Sequence, residues 1–203
     1  MTRTVVVGTD GSAPSLAAVR WAAGAAYAHG LPLRVTHVAP PSASGSRGGD
    51  EGAGPPPWHA ARERMVREVR ARLDAEHPGL HTAGDVIRDD DVAGGLASAA
   101  AWAELLVLGT RGEGGFDGLL LGSTALGVLR RAPCPVALVP QVTAEEPPLS
   151  CGPLGPEVAL GLDAREPDHE ALAYAFGEAA LHGLPLHVVH VWDLVPRHDP
   201  WQP

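Results

Sequence analysis

Residues 105–124 read Leu105-Leu106-Val107-Leu108-Gly109-Thr110-Arg111-Gly112-Glu113-Gly114-Gly115-Phe116-Asp117-Gly118-Leu119-Leu120-Leu121-Gly122-Ser123-Thr124. The first four form a short apolar run of the length of a buried strand. The run stops at Gly109, and glycine returns at positions 112, 114, 115, 118 and 122. Such density means that the backbone turns sharply or comes very close to something. From Ser123 to Arg131 the apolar residues take helical spacing, with arginines in the last turn. The layout is strand, glycine-rich loop, helix. A helix N-terminus offers unpaired N–H groups and a partial positive charge, which together suit a phosphate. A merely flexible connection would have the same composition. The chain contains no lysine, which excludes a Walker-type loop. The dinucleotide fingerprint also fails, because GxGxxG does not directly follow the strand. A phosphate here would be held by backbone N–H groups, the Ser123 and Thr124 hydroxyls, and Arg111.

Upstream, strands and helices alternate. Strands are expected at Val5 to Gly8, Leu33 to Val38, His81 to Ile87, Leu105 to Leu108 and Val136 to Val139. Helices are expected at Ser15 to His29, Trp58 to Glu76, Val92 to Ala103 and Ser123 to Arg131. The stretch 40–57 is Gly, Ser and Pro with a few charges and reads as a mobile loop. This alternation specifies right-handed βαβ units and an open parallel α/β sheet with helices on both faces. Ligands of such sheets lie beyond the carboxyl ends of the strands, where the strand order reverses. The loops after the first and fourth strands meet there, so Thr9 and Asp10 should face the glycine loop. Asp10 suits a ribose hydroxyl, or else caps the following helix.

The 203 residues suffice for one full domain and a remainder. A formal charge of -9 argues against a nucleic-acid surface. No apolar run reaches the ~18 residues needed to span a bilayer. The N-terminus runs straight into a strand, so no signal peptide is expected. The two cysteines, Cys134 and Cys151, have no metal-ligand spacing and fit a reduced, cytoplasmic protein. Ten histidines do not make a metal site: His187 and His190 sit at odd spacing on an expected strand and point to opposite faces. Asp89 to Asp91 reads as an acidic surface turn.

These features resemble the universal stress protein family. The family's pattern is a glycine, two residues, a glycine, nine residues, then a glycine followed by Ser or Thr. Gly109, Gly112, Gly122 and Ser123 meet it. The early strand ending at Asp10, the second ending in His37-Val38, and Arg131-Ala132-Pro133-Cys134-Pro135-Val136 before the last strand agree with it. The resemblance covers residues 1–142. It implies a five-stranded sheet of order 3-2-1-4-5 and binding of ATP, with Mg²⁺ as a further option. Asp10 would contact the ribose. The backbone at Val38 and near Leu108 would hold adenine, and Gly109 would sit by the ribose. Gly112, Gly122, Ser123 and Thr124 would receive the phosphates. It also implies a homodimer through the fifth strand, Val136 to Val139. One departure is the Arg88-Asp89-Asp90-Asp91 turn, where the family usually has a Gly-Asp-Pro-like sequence.

Residues 143–156 read as an interdomain linker. Beyond them the opening of the chain recurs at a constant offset of 153 residues. Gly8 and Asp10 match Gly161 and Asp163, His29 to Leu33 match His182 to Leu186, and His37-Val38 match His190-Val191. Residues 157–203 are therefore expected to form an incomplete second domain, β-α-β, without a glycine loop. Such a piece buries too little apolar area to stand alone. It would be docked on the first domain, completed by another chain, poorly ordered, or part of a longer protein cut short. Trp192 and Trp201 would mark its open apolar surface. The function expected is an ATP-binding regulatory module with little or no hydrolysis. The alternatives are a slow ATPase or autophosphorylating protein, and a non-nucleotide dimerisation module.

Overall fold

A computed structural model of the chain describes residues 3–40, 57–110, 112, 121–140 and 156–191. The chain divides into two compact units, Met1–Gln141 and Val142–Pro203. In the first, the order is β1 (Val5–Gly8), α1 (Ala13–Ala28), β2 (Leu33–Ala39), α2 (Pro57–Glu76), β3 (Thr82–Arg88), α3 (Val92–Ala99), β4 (Leu105–Gly109), α4 (Ser123–Leu129) and β5 (Val136–Val139). The sheet is five-stranded, of order β3-β2-β1-β4-β5, and every pairing is parallel.

Continuous apolar strands are what a sheet covered on both faces requires. Val5, Val7, Leu33, Val35, Leu105 and Val107 pack under α1 and α2, against Ala18, Ala22, Ala26, Val66, Val69 and Leu73. The alternate residues Val6, Val38, Leu106 and Leu108 pack under α3 and α4, against Ala93, Leu96 and Val128. Alanine along the buried side of α1 lets that helix lie close to the sheet. Val7 pairs with both Val35 and Val107, so β1, β2 and β4 finish side by side. Their C-terminal loops therefore share one end of the sheet.

Three helix ends differ from the pattern by two residues or more. α1 starts at Ala13, because Ser12 is the N-cap and its hydroxyl accepts from the Ser15 N–H. α3 stops at Ala99 rather than Ala103: the chain must turn so that the Glu104 N–H can bond the Thr4 carbonyl at 2.8 Å and enter β4. No glycine or proline marks that stop in the sequence. α4 ends at Leu129, and Arg131 turns away to pair with Asp91. The third strand closes at Arg88, one residue later than its apolar pattern suggests, by pairing Arg88 with Ala39. Asp91 then caps α3 by accepting from the Gly94 N–H, which accounts for the acidic turn.

In the second unit, β6 (Val158–Gly161) and β7 (Leu186–Val189) pair in parallel across α5 (His169–His182). This unit repeats β1-α1-β2 bond for bond. Val5 N–H to Pro32 carbonyl (3.0 Å) recurs as Val158 to Pro185 (2.9 Å). Leu31 to Ala26 (2.8 Å) recurs as Leu184 to Ala179 (2.9 Å), and Thr9 to Thr36 (3.0 Å) as Leu162 to Val189 (2.9 Å). Gly30 and Gly183 both take φ of 63°, a left-handed turn after the helix that favours glycine. Trp192, Trp201, Cys151 and the stretch 143–155 lie outside the described residues.

Candidate functional site

β1 ends at Gly8, and the next four residues form a tight polar turn. The Thr9 N–H bonds the Thr36 carbonyl at 3.0 Å. Its side chain is buried, with Oγ1 3.0 Å from Ser15 Oγ and accepting from the Gly11 N–H at 3.2 Å. Gly11 has φ of 85°, which lets the chain reverse into α1. Asp10 Oδ1 accepts from both the Ser12 N–H (2.9 Å) and the Ser12 hydroxyl (2.5 Å). The Asp10 N–H reaches Ser15 Oγ at 3.4 Å. Asp10 is thus not the helix cap; Ser12 holds that role, and Asp10 is held by it. Ser12 and Ser15 were not among the residues singled out from the motif. The Asp-x-Ser spacing of an Asx turn is the signal that could have marked the first of them.

On the other side of the crevice, Gly109 closes β4, pairing with Val139. The Thr110 N–H bonds the Val139 carbonyl at 3.1 Å, and the Thr110 carbonyl takes the Gly122 N–H at 2.8 Å. The glycine loop thus leaves and returns through a closed neck. Gly122 is the N-cap of α4 and supplies no side-chain cap. The first intrahelical bond runs from Leu126 N–H to the Gly122 carbonyl, so the amides of Ser123 and Thr124 precede the helical ladder. Both residues are exposed. Arg111 and residues 113–120 lie outside the described residues.

The two sides meet at one point. A Cβ placed on Gly112 would stand 2.7 Å from Asp10 Oδ2, closer than a Cβ comes to another atom. The carboxylate after β1 therefore lies directly against Gly112 of the loop after β4, where a side chain at that position would make one of the two shift. Leu108 and Val38 are 5% and 6% exposed, with side chains in the α3 layer against Gly8 and Gly95. What they offer the crevice is backbone. In β2 the Leu33 N–H and Ala39 carbonyl serve β3, while the Thr36 carbonyl serves Thr9. Backbone groups alternate sides along a strand. Val38 therefore turns its N–H and C=O to the β1 side, just past the place where β1 ends.

His37 is 5% exposed, with Nδ1 2.7 Å from the Thr9 carbonyl. A carbonyl only accepts, so Nδ1 carries the proton and Nε2 is bare. Burial pushes this imidazole below its ordinary value; the Thr9 bond opposes that, Arg62 adds to it, and Asp10 opposes it. The ring is neutral at pH 7. Burial pushes the Cys134 thiol up, which suits packing rather than nucleophilic chemistry. Among the described residues no group of three or more His, Cys, Asp or Glu could hold a metal ion. No described helix is long and apolar enough to cross a membrane.

An open parallel α/β sheet with an acidic turn and a glycine loop facing each other at the point of reversal defines a class of ligand-binding folds. The profile of the universal stress protein family matches residues 1–140, and the chain belongs to that family. A universal stress protein of Mycolicibacterium smegmatis is 33% identical over 208 residues, covering 98% of this chain and 68% of the relative. One from Mycobacterium tuberculosis is 31% identical over 227 residues, covering 98% of this chain and 67% of the relative. The chain spans about two thirds of the length of these relatives. Among solved structures, a universal stress protein in complex with cAMP is 29% identical, with TM-score 0.51, covering 68% of this chain and 96% of that one. A universal stress protein from Archaeoglobus fulgidus DSM 4304 shares the fold at 20% identity and TM-score 0.67, covering 94% of this chain and 68% of that one.

Proposed function

We propose that the first unit binds an adenine nucleotide, ATP, and acts as a nucleotide-dependent regulatory module of the stress response in the cytoplasm. The observation that carries this reading is the contact between Asp10 Oδ2 and the space kept open by Gly112. A carboxylate against a glycine-lined backbone is suited to a ribose hydroxyl with phosphates running on toward amide donors. In this reading Asp10, seated by Thr9, holds the ribose beside Gly109. The Val38 backbone and the strand end at Leu108 receive adenine. Gly112, Gly122, Ser123 and Thr124 take the phosphates, with Arg111 as a further cation and Mg²⁺ neutralising phosphate charge. The related structure with cAMP supports an adenine nucleotide as the ligand class.

The site binds rather than turns over its ligand. Asp10 is held by two Ser12 donors on one oxygen, which suits a fixed acceptor more than a mobile base. Residues 157–203 are read as the opening of a second module of the same kind, joined through 143–156. The first unit forms a homodimer along β5. Calorimetric titration of the purified chain with ATP, then with cAMP and AMP, tests the reading. ATP should bind with a defined stoichiometry and persist without ADP release over hours. Absence of binding to all three would leave the chain a non-nucleotide interaction module.

A further inference from the structure

Both polar backbone groups of Thr9 are fastened to β2, but by different means. Its N–H goes to the Thr36 carbonyl, an ordinary rung of the sheet. Its carbonyl goes to a side chain, the His37 imidazole. In a parallel ladder the next donor on that side would be the Val38 N–H. The imidazole takes the acceptor instead, and β1 ends one rung early. The second unit places a histidine at the same point. His190 Nδ1 lies 2.8 Å from the Leu162 carbonyl and 3.3 Å from the Ala164 N–H, and Asp163 follows as Asp10 follows Thr9, its Oδ1 accepting from the Arg165 N–H at 2.9 Å. Between the two copies Thr9, Gly11 and Ser12 became Leu162, Ala164 and Arg165, while the aspartate and its histidine were both kept.

We infer that His37 is a positioning residue for the nucleotide site: its Nδ1–H latches the Thr9 carbonyl, fixing the Asp10 backbone and reserving the Val38 amide for the ligand. The inference rests on the nucleotide reading above. The charged groups that act on the ring are Arg62 of α2 and Asp10, and neither replaces the donor that the Thr9 carbonyl needs. Two polar replacements separate this role from simple packing. The carboxamide N–H of His37→Asn falls near Nδ1 and can keep the latch; that of His37→Gln reaches instead toward Nε2.

The test is calorimetric ATP affinity of the full chain for wild type, His37→Asn and His37→Gln, beside ligand-free melting curves. The Asn variant should stay within about threefold of wild type and the Gln variant should weaken by roughly tenfold, the scale of one buried hydrogen bond. Equal affinities for the two variants would overturn the positioning role while leaving the nucleotide site standing. Failure of wild type to bind ATP would overturn the nucleotide reading, and the inference with it. The imidazole ¹⁵N shifts of wild type give a check that needs no variant: a neutral ring protonated at Nδ1 is expected, and a ring protonated at Nε2 would overturn the latch.

Discussion

At the scale of single residues, the crevice is defined by three side chains and a missing one: Asp10, Ser12, His37 and the absent Cβ of Gly112. Asp10 is oriented by Ser12, so Ser12→Ala should loosen the carboxylate and uncap α1 together. We expect a loss of about 1 kcal/mol of stability in urea melts, typical of an N-cap, with weaker ATP binding. Retention of full affinity would show that the carboxylate does not need that anchor. His37 makes a second, pH-dependent prediction. Its folded value lies below the ordinary 6.5, so the unfolded chain takes up the proton first as pH falls. The stability held above pH 6.5 should therefore drain away as pH drops through the folded value. Urea melts between pH 7.5 and 5 should show this slope, reduced in His37→Asn. An identical slope in both proteins would assign it to other groups.

At the scale of elements, the strands were legible because parallel strands buried on both faces must be apolar throughout, as β1 and β4 are. The residue pattern also named the crevice, since the ends of β1 and β4 follow from strand order. What it could not give were stops set by tertiary bonds. α3 ends early because Glu104 must reach Thr4, and an alanine-rich helix carries no local sign of that. The role of Asp10 as helix cap or ligand contact was likewise undecidable from type alone. It is settled against the cap by Ser12, a residue two positions on. Gly95 gives an element-scale prediction. A Cβ there would stand 2.9 Å from Val38 Cγ1, so Gly95→Val should push α3 off the sheet. Overpacking of this kind costs about 1–3 kcal/mol, readable as a lower midpoint in urea. An unchanged midpoint would mean that α3 can shift freely.

At the scale of the molecule, the copied hydrogen bonds of the second unit carry the tandem reading further than matched letters do. β1 is buried throughout, whereas β6 and β7 alternate or lie open, and within the described part of this unit the buried apolar residues are Ala175 and Ala179. The first unit has an edge of its own at β5. The Pro135 and Val139 carbonyls are taken by the N–H groups of Leu106 in β4 and of Thr110 just after it, so Val136 turns its backbone outward. A dimer along β5 would use that N–H. Val136→Pro removes it at the start of the strand, where proline is tolerated. Light scattering should then report a monomer that still binds ATP. A persistent dimer would place the interface elsewhere.

The most direct test is ATP titration of wild type against Gly112→Ala. The added methyl fills the space beside Asp10 Oδ2. Wild type should bind ATP, and the variant should bind roughly tenfold more weakly or worse, with an unchanged ligand-free melting temperature. Equal binding by the two, or none by wild type, would contradict a nucleotide site between the β1 turn and the glycine loop.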